Sequence, residues 1–209
     1  MILAYHVILS AYGFWLPNDP RGSWSVFCAA WELFRYGGKA TKIETRESVA
    51  RAKHDRAKRV AMKRHLKYPP VRWNGVQARA IARGFAKAVG ESGYRVLACA
   101  ILEDHVHLVV VRCDRPIGQI VAHLKARATQ QLRAEEIHPF ERFADDDGSV
   151  PTMWAGKYWK VFIDNDEHFD KATDYVDRNP AKERKQRQNW NFVREAREAR
   201  RDARRKRRG

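Results

Sequence analysis

The stretch Tyr94 to Val111, YRVLACAILEDHVHLVVV, constrains this chain more than any other. Two apolar, β-branched runs flank the acidic pair Glu103-Asp104, which reads as two strands joined by a tight turn. Side chains alternate faces along a strand, so His105 and His107 point the same way, with Cα atoms roughly 7 Å apart. Two imidazoles at that separation can converge on one metal ion at about 2.1 Å each. Val109 and Val111 continue that face, and Val106, Leu108 and Val110 line the other. The pattern describes a buried central strand with two metal-capable groups at one end. A merely packed or solvated histidine pair fits the same spacing, so the rest of the chain has to decide.

Ile2 to Ser10, ILAYHVILS, predicts a buried strand. Its His6 is expected to be structural, with a place near the pair if the two strands are neighbours. Ala11 to Trp24 carries two prolines, two glycines and Asn18-Asp19 and reads as a loop. Its aromatics, Tyr12, Phe14, Trp15 and Trp24, either anchor the loop or stack on unpaired bases. Glu44 to Leu66 has helical composition with few apolar positions, and Tyr68-Pro69-Pro70 ends it.

Asn74 is placed to cap a helix from Val76 to about Glu91, with an apolar stripe of Ile81, Phe85, Ala88 and Val89 and Gly93 just past its end. After the two strands, Pro116 opens a second helix. Its stripe is Ile117, Ile120, Val121, Leu124, Ala128 and Leu132. His138 to Val150 is polar and reads as a loop, its Asp145-Asp146-Asp147 a solvated turn. Trp154 to Ile163 reads as a turn entering a strand. Asp164 with Glu167 resembles a capping box. The helix that follows runs from Glu167 to about Asn179, where Pro180 stops it. Phe169, Ala172 and Val176 form its core stripe, while Lys171, Tyr175 and Asn179 share a face at i, i+4 and i+8. Trp190, Phe192 and Val193 are placed to dock the segment after it.

Without the excursion after the first strand, the order is βαββαβ plus one C-terminal helix. That predicts an α+β fold with a ferredoxin-like antiparallel sheet. Residues 1–193 form the domain, with a basic helical insertion at about 37–70, and residues 194–209 form a basic, flexible tail. The charge supports this division. The formal net charge is +16, of which residues 42–67 carry +7 and residues 194–209 carry +6, leaving a nearly balanced body. Such an excess points to a polyanionic partner, above all nucleic acid. A membrane surface is disfavoured because the basic segments lack matching apolar faces.

Cys28, Cys99 and Cys113 are odd in number and lack metal-type spacing, with Cys99 and Cys113 in apolar strand contexts. They imply a reducing compartment without a disulfide framework. No run approaches the roughly 20 apolar residues of a membrane span, and no secretory signal is evident. A cytoplasmic, nucleoid-associated protein is expected.

Three segments together, AILEDHVHLVV, WAGKYWKVFIDND and DYVDRNPAK, resemble the HUH-type single-tyrosine transposases, in particular the REP-associated tyrosine transposases. The opening AYHVILSAYGFWLPNDPRGSW is also similar to that family's N-terminus. The resemblance spans roughly residues 1–193, and it is the order and spacing of the motifs that make it specific. It implies that His105 and His107 hold a divalent metal, Mg²⁺ or Mn²⁺, and that Asn179 completes the metal shell. It implies that Tyr175 attacks a phosphodiester of single-stranded or hairpin DNA, leaving a 5′-phosphotyrosine and a 3′-hydroxyl. It leaves open whether the chain works alone or as a homodimer that exchanges the tyrosine helix. Two departures stand out: Glu103-Asp104 stands where many relatives have a proline or asparagine near the turn before the histidine pair, and Lys182-Glu183-Arg184 holds no glycine where the family often carries one within a few residues of Asn179-Pro180.

The chemistry is consistent with these roles. A tyrosine, with an ordinary pKa of about 10, is a weak nucleophile until its oxygen is activated, and a covalent intermediate retains the bond energy for rejoining. Lys171, Lys125, Arg127, Arg133, Lys63, Arg64 and Trp15 are candidate DNA contacts. Two other readings stand beside strand transfer: an inactive relative that only binds DNA, and a metal-dependent endonuclease that uses water.

Overall fold

The computed structural model describes residues 2–16, 18–19, 33, 36 and 53–194. They fall into two compact units: Ala11–Arg72, and the segments on either side of it. The tail from residue 195, residues 44–52 of the expected helix from Glu44, Trp24 and Cys28 lie outside the described residues.

The larger unit holds a four-stranded sheet of order β2-β3-β1-β4, formed by β1 (Ala4–Ala11), β2 (Val96–Ile101), β3 (His105–Val111) and β4 (Trp154–Ile163). Both β1 and β2 run antiparallel to β3. Leu3 N–H donates to the Ile163 carbonyl at 2.7 Å, so the start of β1 meets the end of β4. The sheet order is that of the ferredoxin-like fold. Leu102 N–H donates to His105 O at 2.9 Å and closes the turn through Glu103-Asp104.

In this unit two helices lie between strands, α2 (Gly75–Ser92) and α3 (Ile117–Ala134), and another, α4 (Asp166–Lys182), follows β4. The Asn74 and Gln77 side chains each accept from the other's backbone N–H, a complete capping box for α2. Gly93 ends α2 in the left-handed conformation, at φ 65°. Along their contact α2 and α3 come close enough that Gly84 has no room for a side chain: a Cβ there would lie 2.5 Å from Ala128 Cα. Every expected stripe residue of α3 is buried.

The sheet's two faces are covered differently. Val7, Leu9, Val106, Leu108 and Val110 fill one face and are fully buried, on the side of α2 and α3. On the other face, Phe169, Ala172 and Val176 of α4 pack with Ala98, Ala100, Val109, Ala4 and Ile163. A fully buried Val or Phe side chain contributes about 1.5–3 kcal/mol, so this stripe anchors α4 on the face that carries the histidines. Its packing falls on β2 and β3.

Four local expectations are corrected. The N-cap of α4 is Asn165, whose side chain accepts from His168 N–H at 2.8 Å, and not Asp164. Pro180 does not stop α4; it sits in the last turn, where the hydrogen bond it forfeits is near its end, and the helix runs on to Lys182. Cys113 is exposed, because the chain leaves β3 at Val111 before reaching it. The loop from His138 to Val150 is not wholly polar in setting: His138 and Phe140 are buried, and Glu141–Phe143 form a 3₁₀ turn.

After α4 the chain returns to the free edge of β2. The Gln188 side chain exchanges two hydrogen bonds of 2.7 Å with the backbone of Ile101, and Val193 bridges Val96. Phe192 packs edge-on against Phe85. This covers an edge that would otherwise offer unpaired backbone.

In the unit Ala11–Arg72, α1 (Arg56–Arg64) is capped by Asp55, which accepts from Lys58 N–H at 2.9 Å. Its Met62 packs with Leu16 and Leu33. Of the expected helix Glu44 to Leu66, residues 53–66 are described, and the helix among them is shorter, starting after its cap at Asp55 and ending at Arg64.

Candidate active site

His105 and His107 share the face of β3 under α4, their ring centres 4.9 Å apart. The strand register sets Ile8 of β1 and Ala100 of β2 beside His107, and His6 beside Val109. His6 therefore lies on the same face, one step along β1 from His107. Its Nε2 is 3.0 Å from His107 Nδ1, and the two rings stack. One of these nitrogens carries the shared hydrogen. His105 Nδ1 is hydrogen-bonded to Asp104 Oδ1 at 2.8 Å. Both histidines of β3 thus use Nδ1 for a protein partner. This is the usual arrangement behind metal-binding imidazoles.

Burial keeps the inner pair uncharged. The pKa of His107 is lowered to about 2, first by loss of solvent and then by the neighbouring charges of His105, His6 and Lys182. That of His6 is lowered to about 4, by loss of solvent and then by His168. A neutral imidazole is the form that ligates metal.

α4 brings Tyr175 over this cluster. Its ring meets His107 edge-on at 5.6 Å and His6 at 5.8 Å, while 43% of the residue stays exposed. The ring is thus supported on one side and reachable from solvent on the other. Lys182, seven residues on, places its ammonium 3.8 Å from the Tyr175 ring centre. Asn179 and Glu183 follow Tyr175 at four-residue steps, hence along one flank of the helix. Asn179 is buried, and its side-chain nitrogen has no hydrogen-bond partner. Ligand atoms of Asp104, His105 and Glu183 all lie within 4.8 Å of one another. Lys185 bridges Glu183 and Glu103 at 3.1 and 3.0 Å.

The donor set fits a divalent cation. It combines imidazole nitrogens with two carboxylates, a mixture that both nitrogen- and oxygen-preferring divalent ions accept. Sequence reasoning named His105, His107 and Asn179 for the metal. The structure places His105 and His107 together on β3, with His6 behind His107, and Asn179 one turn past Tyr175 on α4; it gathers Asp104 and Glu183 around His105. Strand alternation could have found His6, had the pairing of β1 with β3 been known. Glu183 and Lys182 were hidden because Pro180 reads as a helix end.

The candidate DNA contacts scatter. Lys171 is exposed on α4 and paired with Glu167 at 2.6 Å. Lys125, Arg127 and Arg133 sit on α3, in the helix layer of the opposite sheet face. Lys125 donates to Ala155 O at 2.8 Å, Arg127 to Glu91 at 2.8 Å and Arg133 to Gly148 O at 2.8 Å. Lys63 and Arg64 end α1, and Trp15 packs edge-on against Phe14 in the unit Ala11–Arg72.

No family model matches the chain, and no curated protein matches it. Among solved structures, it is similar to a REP-associated tyrosine transposase bound to a REP hairpin, at 10% identity and a TM-score of 0.46, over 87% of this chain and 68% of that one. It is also similar to a protein of Deinococcus radiodurans R1 provisionally assigned as a transposase, at 13% identity and a TM-score of 0.36, over 84% of this chain and 89% of that one. Likeness at this level assigns no role to any residue. Among the described residues, no helix is long and apolar enough to cross a membrane.

Proposed function

We propose that this chain is a metal-assisted, single-tyrosine DNA strand transferase of the transposase type, acting on single-stranded or hairpin DNA. The observation that carries the reading is the seat of Tyr175: a half-exposed phenol held edge-on against two neutral histidines, on a helix that also brings Asn179 and Glu183 to the cluster.

In this reading the Tyr175 oxygen attacks the scissile phosphorus. The bond from phosphorus to the tyrosyl oxygen forms as the bond to the 3′-oxygen breaks. The phenolic proton leaves and a proton is taken up by the departing 3′-oxygen, so the exchange is balanced. The 5′-phosphotyrosine is an ester of similar energy, and attack by another 3′-hydroxyl rejoins the strand. A bound Mg²⁺ or Mn²⁺ would polarise the phosphate and offset its charge. His105, His107, Asp104, Glu183 and Asn179 are the residues that would hold it. His6 orients His107, and Lys182 supplies a fixed positive charge beside the nucleophile.

Covalent capture tests this. The protein is incubated with labelled single-stranded and hairpin oligonucleotides plus Mn²⁺ or Mg²⁺ and run on a denaturing gel. A shifted band is expected, absent for Tyr175→Phe and in EDTA. Cleavage without a shifted band would instead establish a water-using endonuclease. Binding on a native gel with neither cleavage nor linkage would establish a DNA-binding relative.

A further inference from the structure

Among the described residues, α4 covers one side of the face that carries the histidines more than the other. It packs mainly on β2 and β3, and its apolar stripe also meets Ala4 of β1 and Ile163 of β4. On that face of β1 Ala4 is buried and His6, Ile8 and Ser10 are each part-exposed; on the other face Tyr5 is part-exposed and Val7, Leu9 and Ala11 are buried. Beyond β1 lies β4, the last strand in the sheet order. Its faces can be assigned from its ends: Ile163 packs with Ala4 and Val109 on the histidine face, and Phe162 meets the Tyr5 ring on the opposite one. Alternation then puts Val161, Trp159 and Lys157 on the histidine face. Trp159 is 39% exposed and Lys157 is exposed. Lys160 and Phe162, also exposed on β4, pack cation over ring at 5.2 Å on the other side. No acidic residue occurs within β4.

We infer that Trp159 and Lys157 form a nucleotide subsite of the same active face: Trp159 stacks an unpaired base flanking the scissile phosphate, and Lys157 holds a backbone phosphate. The inference rests on the strand-transferase reading for the identity of the strand. Tyr175 touches His6 of β1, and β4 is the next strand, about 5 Å further on. A strand whose phosphate lies at Tyr175 has the part-exposed β1–β4 surface as its path. Every base has a π-face, so an indole on such a path grips single-stranded DNA of any sequence, and a lysine two residues away meets the backbone. The strand carries positive charge only, as a polyanion requires.

The test measures binding in a Tyr175→Phe background, where no covalent step intervenes. Anisotropy of a short labelled single strand is compared for Trp159→Ala, Trp159→Phe and Lys157→Gln, with thermal unfolding followed for each. Trp159→Ala is expected to weaken binding about tenfold or more, from the usual worth of one stacked base. Trp159→Phe should recover most of that loss, and Lys157→Gln should lower the salt dependence by about one phosphate contact. Affinity for blunt duplex DNA should not move with Trp159. Single-strand affinity within twofold of the parent in a folded Trp159→Ala protein would overturn the subsite. So would a wild-type dimer in sedimentation that Trp159→Ala dissociates, since β4 would then be an interface between copies. The two readings fail separately. Covalent capture that succeeds with binding indifferent to Trp159 removes the subsite alone. Loss of binding with Trp159→Ala, but no covalent capture by the unmutated protein, keeps the subsite and removes strand transfer.

Discussion

His6 Nε2 and His107 Nδ1 lie 3.0 Å apart, a hydrogen bond between neighbouring strands that joins residues 101 positions apart in sequence. It fixes which nitrogen of His107 faces a ligand and holds the ring against rotation. His6→Ala is expected to weaken Mn²⁺ binding by about tenfold to a hundredfold, the usual cost of losing such a supporting partner. Calorimetric titration of the DNA-free protein measures it. His6→Gln, which keeps a hydrogen-bonding group at the position, should lose less. Equal affinities for wild type and His6→Ala would confine His6 to packing.

Lys182 sits over the Tyr175 ring at 3.8 Å, and its charge also reaches His107. A fixed cation there favours the negative charge that develops on the phenol oxygen as its proton departs. Lys182→Met is therefore expected to slow covalent linkage about tenfold to a hundredfold, and Lys182→Arg to retain most of the rate. Single-turnover gels under saturating DNA separate this from binding. A Lys182→Met rate equal to that of wild type would leave the lysine only its place at the negative end of the helix dipole.

The sequence showed the sheet and helices well because their signals are periodic. Alternation placed His105 and His107 on one face, and three- and four-residue spacing found the stripes of α2, α3 and α4. Strand pairing was less legible. Nothing local in ILAYHVILS says that β1 lies beside β3 in the register that sets His6 against His107. Asp104 was legible only as a turn residue, although its carboxylate bonds the imidazole next to it. Glu183 and Lys182 were lost to a rule about proline that is weaker in a last turn, where few backbone bonds remain to break. Which part of the histidine face stays part-exposed depends on where α4 lands, a property of packing and not of any one segment.

Gly84 gives a stability test independent of the site. An added Cβ would meet Ala128 Cα at 2.5 Å, Arg127 O at 2.6 Å and Ala128 N at 2.7 Å, all backbone atoms that cannot swing aside. Gly84→Ala is expected to cost about 1–3 kcal/mol by forcing α2 and α3 apart. At this chain length that lowers the melting temperature by roughly 2–4 °C per kcal/mol. Gly90, in the same helix, has nothing within 4 Å of its added Cβ, so Gly90→Ala should instead stabilise by up to about 1 kcal/mol. Differential scanning fluorimetry on the pair reads both signs. A neutral Gly84→Ala would mean that the two helices are not in close contact there.

Acid should loosen this fold through its histidines before most carboxylates titrate. His6 and His107 are held neutral in the folded chain, with pKa values lowered to about 4 and about 2. In the unfolded chain each protonates near the ordinary value of about 6.5. Between about pH 6.5 and 4 the unfolded state therefore binds more protons than the folded one. Stability rises with pH in that window and falls as pH is lowered through it. Each histidine contributes a slope of up to about 1.4 kcal/mol per pH unit, and below about pH 4 only His107 continues to add. Urea unfolding of metal-free protein at pH 7, 6, 5 and 4.5 should show the decline, and the double variant His6→Gln/His107→Gln should flatten it. An unchanged slope in the double variant would mean that both rings take up protons without unfolding, and the neutral, ligand-ready pair would have to be abandoned.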